Sequence, residues 1–184
     1  MQVTLTEKDL ALLRFNDGTL KPTKFTYKFA HRDDGYLSYE EGGVYLDYKM
    51  LRDILDSMGV YDVTAIIVFG SVVHPKTETC MQSTWFGFGA PKEVTFNKKP
   101  NDLDLLILTK AEHDVKIKSP LQMYVKEYDE DGAAYGSWEE FRTVHEGLDL
   151  FVMSEEQFEN SEEKFKRHIV LHGQLLAGKM SCKK

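Results

Sequence analysis

Cysteine is scarce in this sequence: Cys80 and Cys182 are the two present among 184 residues, and they lie far apart without the spacing of metal ligands. So little cysteine suits a reducing compartment. The sequence also lacks an apolar run near the roughly 20 residues that cross a membrane. Its first residues lack the basic-then-apolar pattern of a signal peptide. We therefore expect a cytoplasmic protein with no membrane partner.

Positive charge is in deficit. The chain has 23 Lys and Arg residues against 30 Asp and Glu residues, which leaves a net charge of −7. No general basic field is present to hold nucleic acid, so a polynucleotide partner would need a local basic patch. Hydrophobic residues make up 42% of the chain, enough for one compact domain with a substantial core over residues 1–184.

Strand patterns are present in residues 1–46. Phe25, Tyr27 and Phe29 alternate with polar residues, as in a half-buried strand. Residues 33–35 offer a turn, and residues 36–39 and 44–46 flank a Glu-Gly-Gly segment in a hairpin-like arrangement. We expect a small antiparallel accessory region here, either packed on the main domain or presenting an aromatic binding face.

A helix and a buried strand follow. Asp47 suits the N-cap of a helix and Gly59 suits its left-handed end. Between them, four apolar residues have helical spacing: Leu51, Ile54, Leu55 and Met58. Residues 63–69 are almost wholly apolar, which predicts a central strand covered on both faces. This strand ends at Gly70-Ser71.

Residues 72–101 are punctuated by Pro and Gly and predict a long insertion loop. A loop of this length is uncommon in a compact domain unless it is functional or mobile. Two interpretations stay open: a flap that closes over a substrate, or an insertion with a small packing of its own. The loop carries positive charge and aromatic surface at Lys76, Lys92, Lys98, Lys99, Trp85, Phe86 and Phe88.

Two carboxylates open the next apolar strand, in residues 102–108. Alternation places Asp102 and Asp104 on one face, with their α-carbons roughly 6.6 Å apart. Two acids at the head of a buried strand repel each other and are costly to desolvate unless cations compensate, as divalent metals do. Alternatively, both lie just outside the sheet and cap a neighbouring helix or turn.

A third acid, Asp149, lies within the apolar residues 147–153, where a buried carboxylate needs a partner. If this strand lies beside the first acidic strand, Asp149 completes a cluster of three carboxylates. Ahead of it, the spacing of Ser137 and Glu140 predicts a short helix over residues 138–145. Residues 121–128 predict a further strand, and residues 129–136 an exposed acidic turn.

The C-terminal region has a helical pattern. Ser154 and Gln157 have the spacing of a capping box. Phe165, Ile169, His172 and Leu176 then follow helical spacing before Gly178. His168 and His172 lie one turn apart, as metal ligands could. We interpret them instead as surface or half-buried helix residues.

Together, Gly70-Ser71 after an apolar strand, Asp102 and Asp104 opening the next, and Asp149 within a third resemble the nucleotidyltransferase fold of the DNA polymerase β superfamily, its minimal members most closely. The resemblance covers about residues 51–178, and residues 169–176 resemble the terminal helix of those members. It implies an α/β (α+β) fold: a mixed central sheet with flanking helices over residues 47–178, with residues 1–46 as an N-terminal antiparallel extension.

The resemblance also implies a reaction, the transfer of a nucleoside monophosphate from an NTP, with ATP favoured, to a hydroxyl acceptor with release of pyrophosphate. Asp102 and Asp104 would hold two Mg²⁺ (or Mn²⁺) ions about 3.5–4 Å apart. Asp149 would bind the second metal and help to deprotonate the hydroxyl. Gly70 and Ser71 would bind the outer phosphates.

Two features differ from the family pattern. Residues 72–101 separate Gly70-Ser71 from the acids, where the family usually has about a dozen residues. Because no Lys or Arg directly follows Ser71, phosphate neutralisation would fall on the metals or on Lys76, Lys98 or Lys99.

The identity of the acceptor stays open between a small molecule, a protein side chain and an RNA end. The alternative function is a non-catalytic regulatory or antitoxin-like partner protein that kept the fold. A plain structural domain whose acids are caps is a third interpretation.

Overall fold

The computed structural model describes residues 4–33, 36–82, 89–127 and 138–180. In these residues the chain is mixed α+β and dominated by strands. A mixed sheet has seven strands in the order β1 (Thr23–Asp33), β2 (Tyr36–Leu46), β7 (Asp114–Glu127), β8 (Trp138–Ser154), β6 (Leu103–Thr109), β3 (Val63–Phe69) and β9 (Gln174–Gly178). The strands β4 (Thr77–Gln82) and β5 (Lys92–Asn97) form a separate two-stranded sheet. No helix in the described ranges is long and apolar enough to cross a membrane.

The first part of the chain contains α1 (Glu7–Asp17), β1 (Thr23–Asp33) and β2 (Tyr36–Leu46). Helix α1 was not anticipated by the strand patterns; it begins at a capping box between Thr6 and Asp9. The predicted alternation in β1 is confirmed, because its three aromatic residues are buried. β1 and β2 pair antiparallel, and β2 also pairs with β7, so this region extends the main sheet.

The hairpin expected around residues 41–43 is wrong, since β2 runs through this segment as one strand. Gly42 and Gly43 provide room for aromatic rings instead. A Cβ at Gly42 would lie 2.9 Å from the Tyr27 ring, and one at Gly43 would overlap the Tyr124 ring. The chain reverses between Asp33 and Tyr36, which pair with each other. Residues 34 and 35 of the expected turn lie outside the described residues.

Helix α2 (Tyr48–Ser57) agrees with the sequence prediction. The Asp47 side chain accepts a hydrogen bond from the Lys49 backbone N–H at 2.9 Å. Gly59 has a φ of +74°, the left-handed conformation expected after the helix. Leu51 and Leu55 are buried in the core beneath the sheet.

The centre of the sheet consists of β3 (Val63–Phe69), β6 (Leu103–Thr109), β8 (Trp138–Ser154) and β7 (Asp114–Glu127). β6 and β8 are parallel, and the other neighbouring strands pair antiparallel. One face and α2 enclose a core that spans β1 to β8, so the sheet curls around it. The other face packs against α3 (Glu155–Glu159) and α4 (Glu163–His172).

The helix expected over residues 138–145 is wrong, because these residues form the first part of β8. They pair with β7, where the Gln122 side chain donates a hydrogen bond to the Thr143 hydroxyl at 2.7 Å. Pairing with a distant strand overrides the local capping pattern here. Ser137, the expected cap, and residues 128–136 lie outside the described residues. Of the strand predicted over residues 121–128, residues 121–127 are confirmed within β7.

The expected terminal helix is only partly correct. The capping box of Ser154 and Gln157 is confirmed at the start of α3. Helix α4 ends at His172, however, and residues 174–178 form β9 (Gln174–Gly178), which pairs antiparallel with β3. This strand satisfies the backbone groups along an edge of β3 that would otherwise be buried without hydrogen bonds.

The insertion contains a hairpin of its own, with β4 (Thr77–Gln82) and β5 (Lys92–Asn97) paired antiparallel. The described part therefore has the small independent packing that was one of the two interpretations. The aromatic residues Trp85, Phe86 and Phe88 lie outside the described residues.

Candidate metal centre

Three aspartates meet where β6 and β8 run side by side. The parallel register sets Asp104 directly beside Asp149, and Asp102 lies immediately ahead of β6. One carboxylate oxygen from each of the three residues lies within 4.8 Å of the other two. The structure thus brings together the three carboxylates that the sequence singled out.

The core determines which way these acids face. Leu103, Leu105 and Leu148 are fully buried on the face that packs against α2. Because side chains alternate along a strand, the neighbouring Asp104 and Asp149 must lie on the other face. A slip of one residue would bury both acids in the core, so burial of the leucines secures the register.

Burial and mutual repulsion disfavour the charged form of these acids. The pKa of Asp104 is raised to about 6, first by burial and then by the negative charges of Asp102 and Asp149. Lys116 and Lys76 lower it in part. A divalent cation would lower the pKa of Asp104 again, because its positive charge stabilises the ionised carboxylates and offsets their mutual repulsion.

The burial of Asp149 is a second observation that points to a cation. The residue as a whole is 6% exposed, and among the described residues its Oδ1 has no hydrogen-bond partner. Buried carboxylate oxygens in folded proteins almost always accept hydrogen bonds or coordinate cations. This Asp149 oxygen, which accepts no hydrogen bond from the described residues, belongs to the acidic cluster, so the donor set fits an oxygen-seeking divalent ion such as Mg²⁺ or Mn²⁺.

Gly70 brings the end of β3 against the acids. Its φ is +77°, and a Cβ there would overlap Asp104 Oδ2. Glycine is therefore required both by the backbone conformation and by the approach to the carboxylate. Gly70 and Ser71 begin a single turn of 3₁₀ helix, which Val73 closes by donating its N–H to the Gly70 carbonyl. The His74 N–H, just after the turn, donates to the same carbonyl at 2.9 Å.

Of the three lysines predicted to neutralise phosphate, one lies near the acidic cluster and two contact other parts of the chain. The positive charge of Lys76 reaches Asp104 and lowers its pKa. Lys98 instead forms an ion pair with Glu78 on the hairpin at 2.6 Å, and the Lys99 ammonium lies 5.4 Å from the centre of the Phe29 ring. Lys98 and Lys99 are thus engaged with the hairpin and β1.

Two other lysines, which the sequence reasoning missed, lie at the site. On β7, Lys116 Nζ is 3.6 Å from Asp149 Oδ2 and Lys118 Nζ is 3.8 Å from Asp149 Oδ1. The alternation of Val115, Lys116, Ile117 and Lys118 was a readable signal for a strand with both lysines on one face. The sequence alone does not show that this strand lies beside Asp149.

Three histidines lie beside the same end of β3. The His74 ring stacks on the His172 ring with centroids 3.9 Å apart, and His168 lies 5.2 Å from His172. His168 also contacts the Phe69 ring at 6.4 Å. His168 and His172 are half-buried on α4, as predicted. Burial, followed by the two neighbouring imidazoles, lowers the pKa of His172.

Comparison of the chain with protein-family models, with curated proteins and with solved structures finds no match. The functional argument therefore rests on the residues and their geometry.

Proposed function

We propose that the protein is a metal-dependent nucleotidyltransferase that moves a nucleoside monophosphate from an NTP, with ATP favoured, to a hydroxyl acceptor and releases pyrophosphate. The observation that carries this proposal is the convergence within 4.8 Å of Asp104 and Asp149, on two adjacent parallel strands, with Asp102, which lies just ahead of the first of them. The buried Asp149 oxygen, which has no hydrogen-bond partner in the described part of the chain, supports it as a second observation.

The three aspartates would hold the divalent ions. When bound there, Mg²⁺ supplies positive charge that neutralises the phosphates and the developing charge of the reaction. Because Gly70 has no side chain, its backbone lies directly against Asp104, and the Ser71 hydroxyl follows in the same 3₁₀ turn, where the two residues would bind the outer phosphates. Lys76 adds a positive charge close to Asp104.

In the proposed reaction the acceptor hydroxyl oxygen forms a bond to the α-phosphorus of the NTP. The bond from that phosphorus to the oxygen bridging to the β-phosphate breaks, and pyrophosphate leaves with the bonding electrons. The hydroxyl proton passes to the carboxylate of Asp149 and then to solvent. A buried carboxylate at the edge of the cluster suits this role.

One observation favours the alternative, a non-catalytic regulatory or antitoxin-like partner protein. Lys116 and Lys118 both lie within ion-pair distance of Asp149, so part of the acidic charge is balanced without metal. Three acids are still opposed by only these two close ammonium groups among the described ion pairs. The enzymatic function accounts for the whole cluster better.

Thermal unfolding with Mg²⁺ or Mn²⁺ and ATP tests the proposal. Wild type should show a rise in melting temperature that requires both metal and nucleotide. Asp102→Asn and Asp149→Asn should lose this rise, whereas Asp114→Asn should keep it. Asp114 is an exposed acid at the first residue of β7, four residues before Lys118 and opposite Met153 rather than Asp149, and is a matched control for the loss of one negative charge.

The second measurement is pyrophosphate release from ATP with pools of small hydroxyl compounds, hydroxyl-bearing peptides and RNA ends. Release that depends on Asp102 and Asp149 supports the enzyme. A metal-dependent ATP shift without pyrophosphate from any pool favours the non-catalytic partner. If neither metal nor ATP raises the melting temperature of wild type, the proposed function is wrong.

A further inference from the structure

The paired strands place the charged groups of the site in a row across one face of the sheet. In order from β7 to β3, the residues that face each other are Lys118, Asp149, Asp104 and Phe69. Neighbouring strands lie about 4.8 Å apart, so the row spans about 14 Å. Gly70 follows Phe69 at one end of the row. The two lysines of β7 lie at the other end.

The two flanks of the acidic cluster therefore differ in chemistry. The β3 flank has a half-buried backbone turn at Gly70 and Ser71. The β7 flank has two ammonium groups on adjacent outward positions, with Lys116 opposite Phe151 and Lys118 opposite Asp149. The Lys116 ammonium lies 4.5 Å from the centre of the Phe151 ring, which holds it close to the acids.

These ammonium groups remain accessible to a ligand. The side chains of Lys116 and Lys118 are 56% and 51% exposed, whereas that of Asp149 is 8% exposed. Their distances of 3.6 and 3.8 Å from the Asp149 oxygens exceed the 2.7–2.9 Å of a charge-assisted hydrogen bond. Both lysines thus face the site without a short hydrogen bond to Asp149, although Lys118 Nζ also lies 3.4 Å from the exposed carboxylate of Glu146.

We propose that Lys116 and Lys118 bind the acceptor, and that the acceptor carries a phosphate group near its reacting hydroxyl. This inference rests on the proposed function, in which the triphosphate lies along Gly70 and Ser71. The attacking and leaving oxygens of a phosphoryl transfer lie roughly in line on opposite sides of the phosphorus. With pyrophosphate leaving over β3, the acceptor enters from the β7 side, next to Asp149 and the lysines.

The negative net charge of the protein supports the assignment of Lys116 and Lys118 to the acceptor site. A protein of net charge −7 repels anionic acceptors at long range, so such an acceptor needs local positive charge. Lys116 and Lys118 supply that charge beside Asp149. Sugar phosphates and the 3′ ends of RNA share the required chemistry, a hydroxyl beside a phosphate.

Direct binding of defined probes tests the inference without relying on turnover. The probes are ribose 5-phosphate, ribose as its uncharged counterpart, and a five-nucleotide RNA with a free 3′ hydroxyl, each titrated calorimetrically with Mg²⁺ present. The variants are the double variant Lys116→Gln/Lys118→Gln, the conservative Lys116→Arg/Lys118→Arg, and Lys110→Gln. Lys110 follows the far end of β6 and is an exposed control for the loss of a lysine.

Wild type should bind at least one phosphate probe and should not bind ribose measurably. The double Gln variant should raise the dissociation constant of that probe about tenfold, because an ion-paired hydrogen bond is lost. The Arg variant and Lys110→Gln should bind nearly as wild type does. Tighter binding of the RNA than of ribose 5-phosphate assigns the acceptor to an RNA end, and the reverse order assigns it to a sugar phosphate.

Two results would overturn the inference: no saturable binding of either phosphate probe, or equal dissociation constants for wild type and the double Gln variant. The lysines would then serve only to balance the charge of Asp149. The Mg²⁺- and ATP-dependent rise in melting temperature, measured on the same samples, reports the proposed function separately. A lysine-dependent phosphate site without that rise would reject the nucleotidyltransferase while keeping the anion site.

Discussion

Replacement of Gly70 by alanine probes the contact between the end of β3 and the acidic cluster. The new Cβ would overlap Asp104 Oδ2 and lie 3.0 Å from its Cγ, on a backbone with a φ of +77°. Gly59→Ala is a matched control, because Gly59 has a φ of +74° and a Cβ there would meet no atom of the described residues within 4 Å. The two variants share the backbone cost and differ in the contact with Asp104.

The magnitudes follow from this difference. A left-handed conformation destabilises an L-residue by about 1–2 kcal/mol in the folded state. Alanine also lowers the conformational entropy of the unfolded chain, which stabilises the folded state by about 0.4–1 kcal/mol. Gly59→Ala should therefore lower the free energy of unfolding by about 1 kcal/mol. Gly70→Ala adds overpacking against Asp104, which costs typically about 1–3 kcal/mol. We expect a total loss of about 2–4 kcal/mol for Gly70→Ala.

Equilibrium denaturation in urea measures the free energies, and thermal unfolding with Mg²⁺ and ATP measures the effect on the site. Gly70→Ala should lose most of the ligand-dependent rise in melting temperature, since Asp104 must turn away from Asp102 and Asp149. Gly59→Ala should keep that rise. If Gly70→Ala and Gly59→Ala lose the same free energy of unfolding and both keep the ligand-dependent rise in melting temperature, this prediction is wrong. The close contact between Gly70 and Asp104 would then not be the reason for a glycine at position 70.

Three further predictions concern the acids, the core and a helix cap. The pKa of Asp104 is about 6 in the folded chain against an ordinary 3.8, so its stabilising contribution is present below about pH 4 and lost as the pH rises through about 6. In EDTA, Asp104→Asn should therefore match wild type near pH 4 and be more stable by about 1–2 kcal/mol near pH 8, after discounting for partial exposure; superimposable urea curves at both pH values would contradict this. Leu106→Ala, at a fully buried position of β6, should lower the free energy of unfolding in urea by about 2–5 kcal/mol, and a loss below about 1 kcal/mol would show that the core there can collapse. Asp47→Ala should cost about 1 kcal/mol in thermal unfolding by removing the cap of α2, whereas Asp53→Ala, which removes only an exposed ion pair with Lys49, should cost less than about 0.5 kcal/mol.

Features that depend on a few neighbouring residues were readable from the sequence. The cap at Asp47, the left-handed Gly59 and the capping box at Ser154 all occur where their local patterns predicted. Alternation alone also placed Asp104 on the face opposite Leu103 and Leu105. Each of these features depends on chain geometry within one or two turns or along one strand.

Errors occurred where a local pattern competed with pairing to a distant strand. Residues 138–145 have a helical capping pattern, but they pair with β7. Residues 174–178 continue a helical spacing, but they pair with the edge of β3. In both cases hydrogen bonding to a strand far away in the sequence outweighs a weak local preference.

By itself, the sequence determined that three acids stand among apolar strand residues and that Gly70 ends a buried strand. Only the tertiary structure decided that β6 and β8 are parallel neighbours, which sets Asp104 beside Asp149. It also decided that β7 brings Lys116 and Lys118 to Asp149, while Lys98 is drawn to Glu78. The physical reason is that side-chain direction follows from the two-residue period of one strand, whereas strand order follows from how the whole sheet curls around its core.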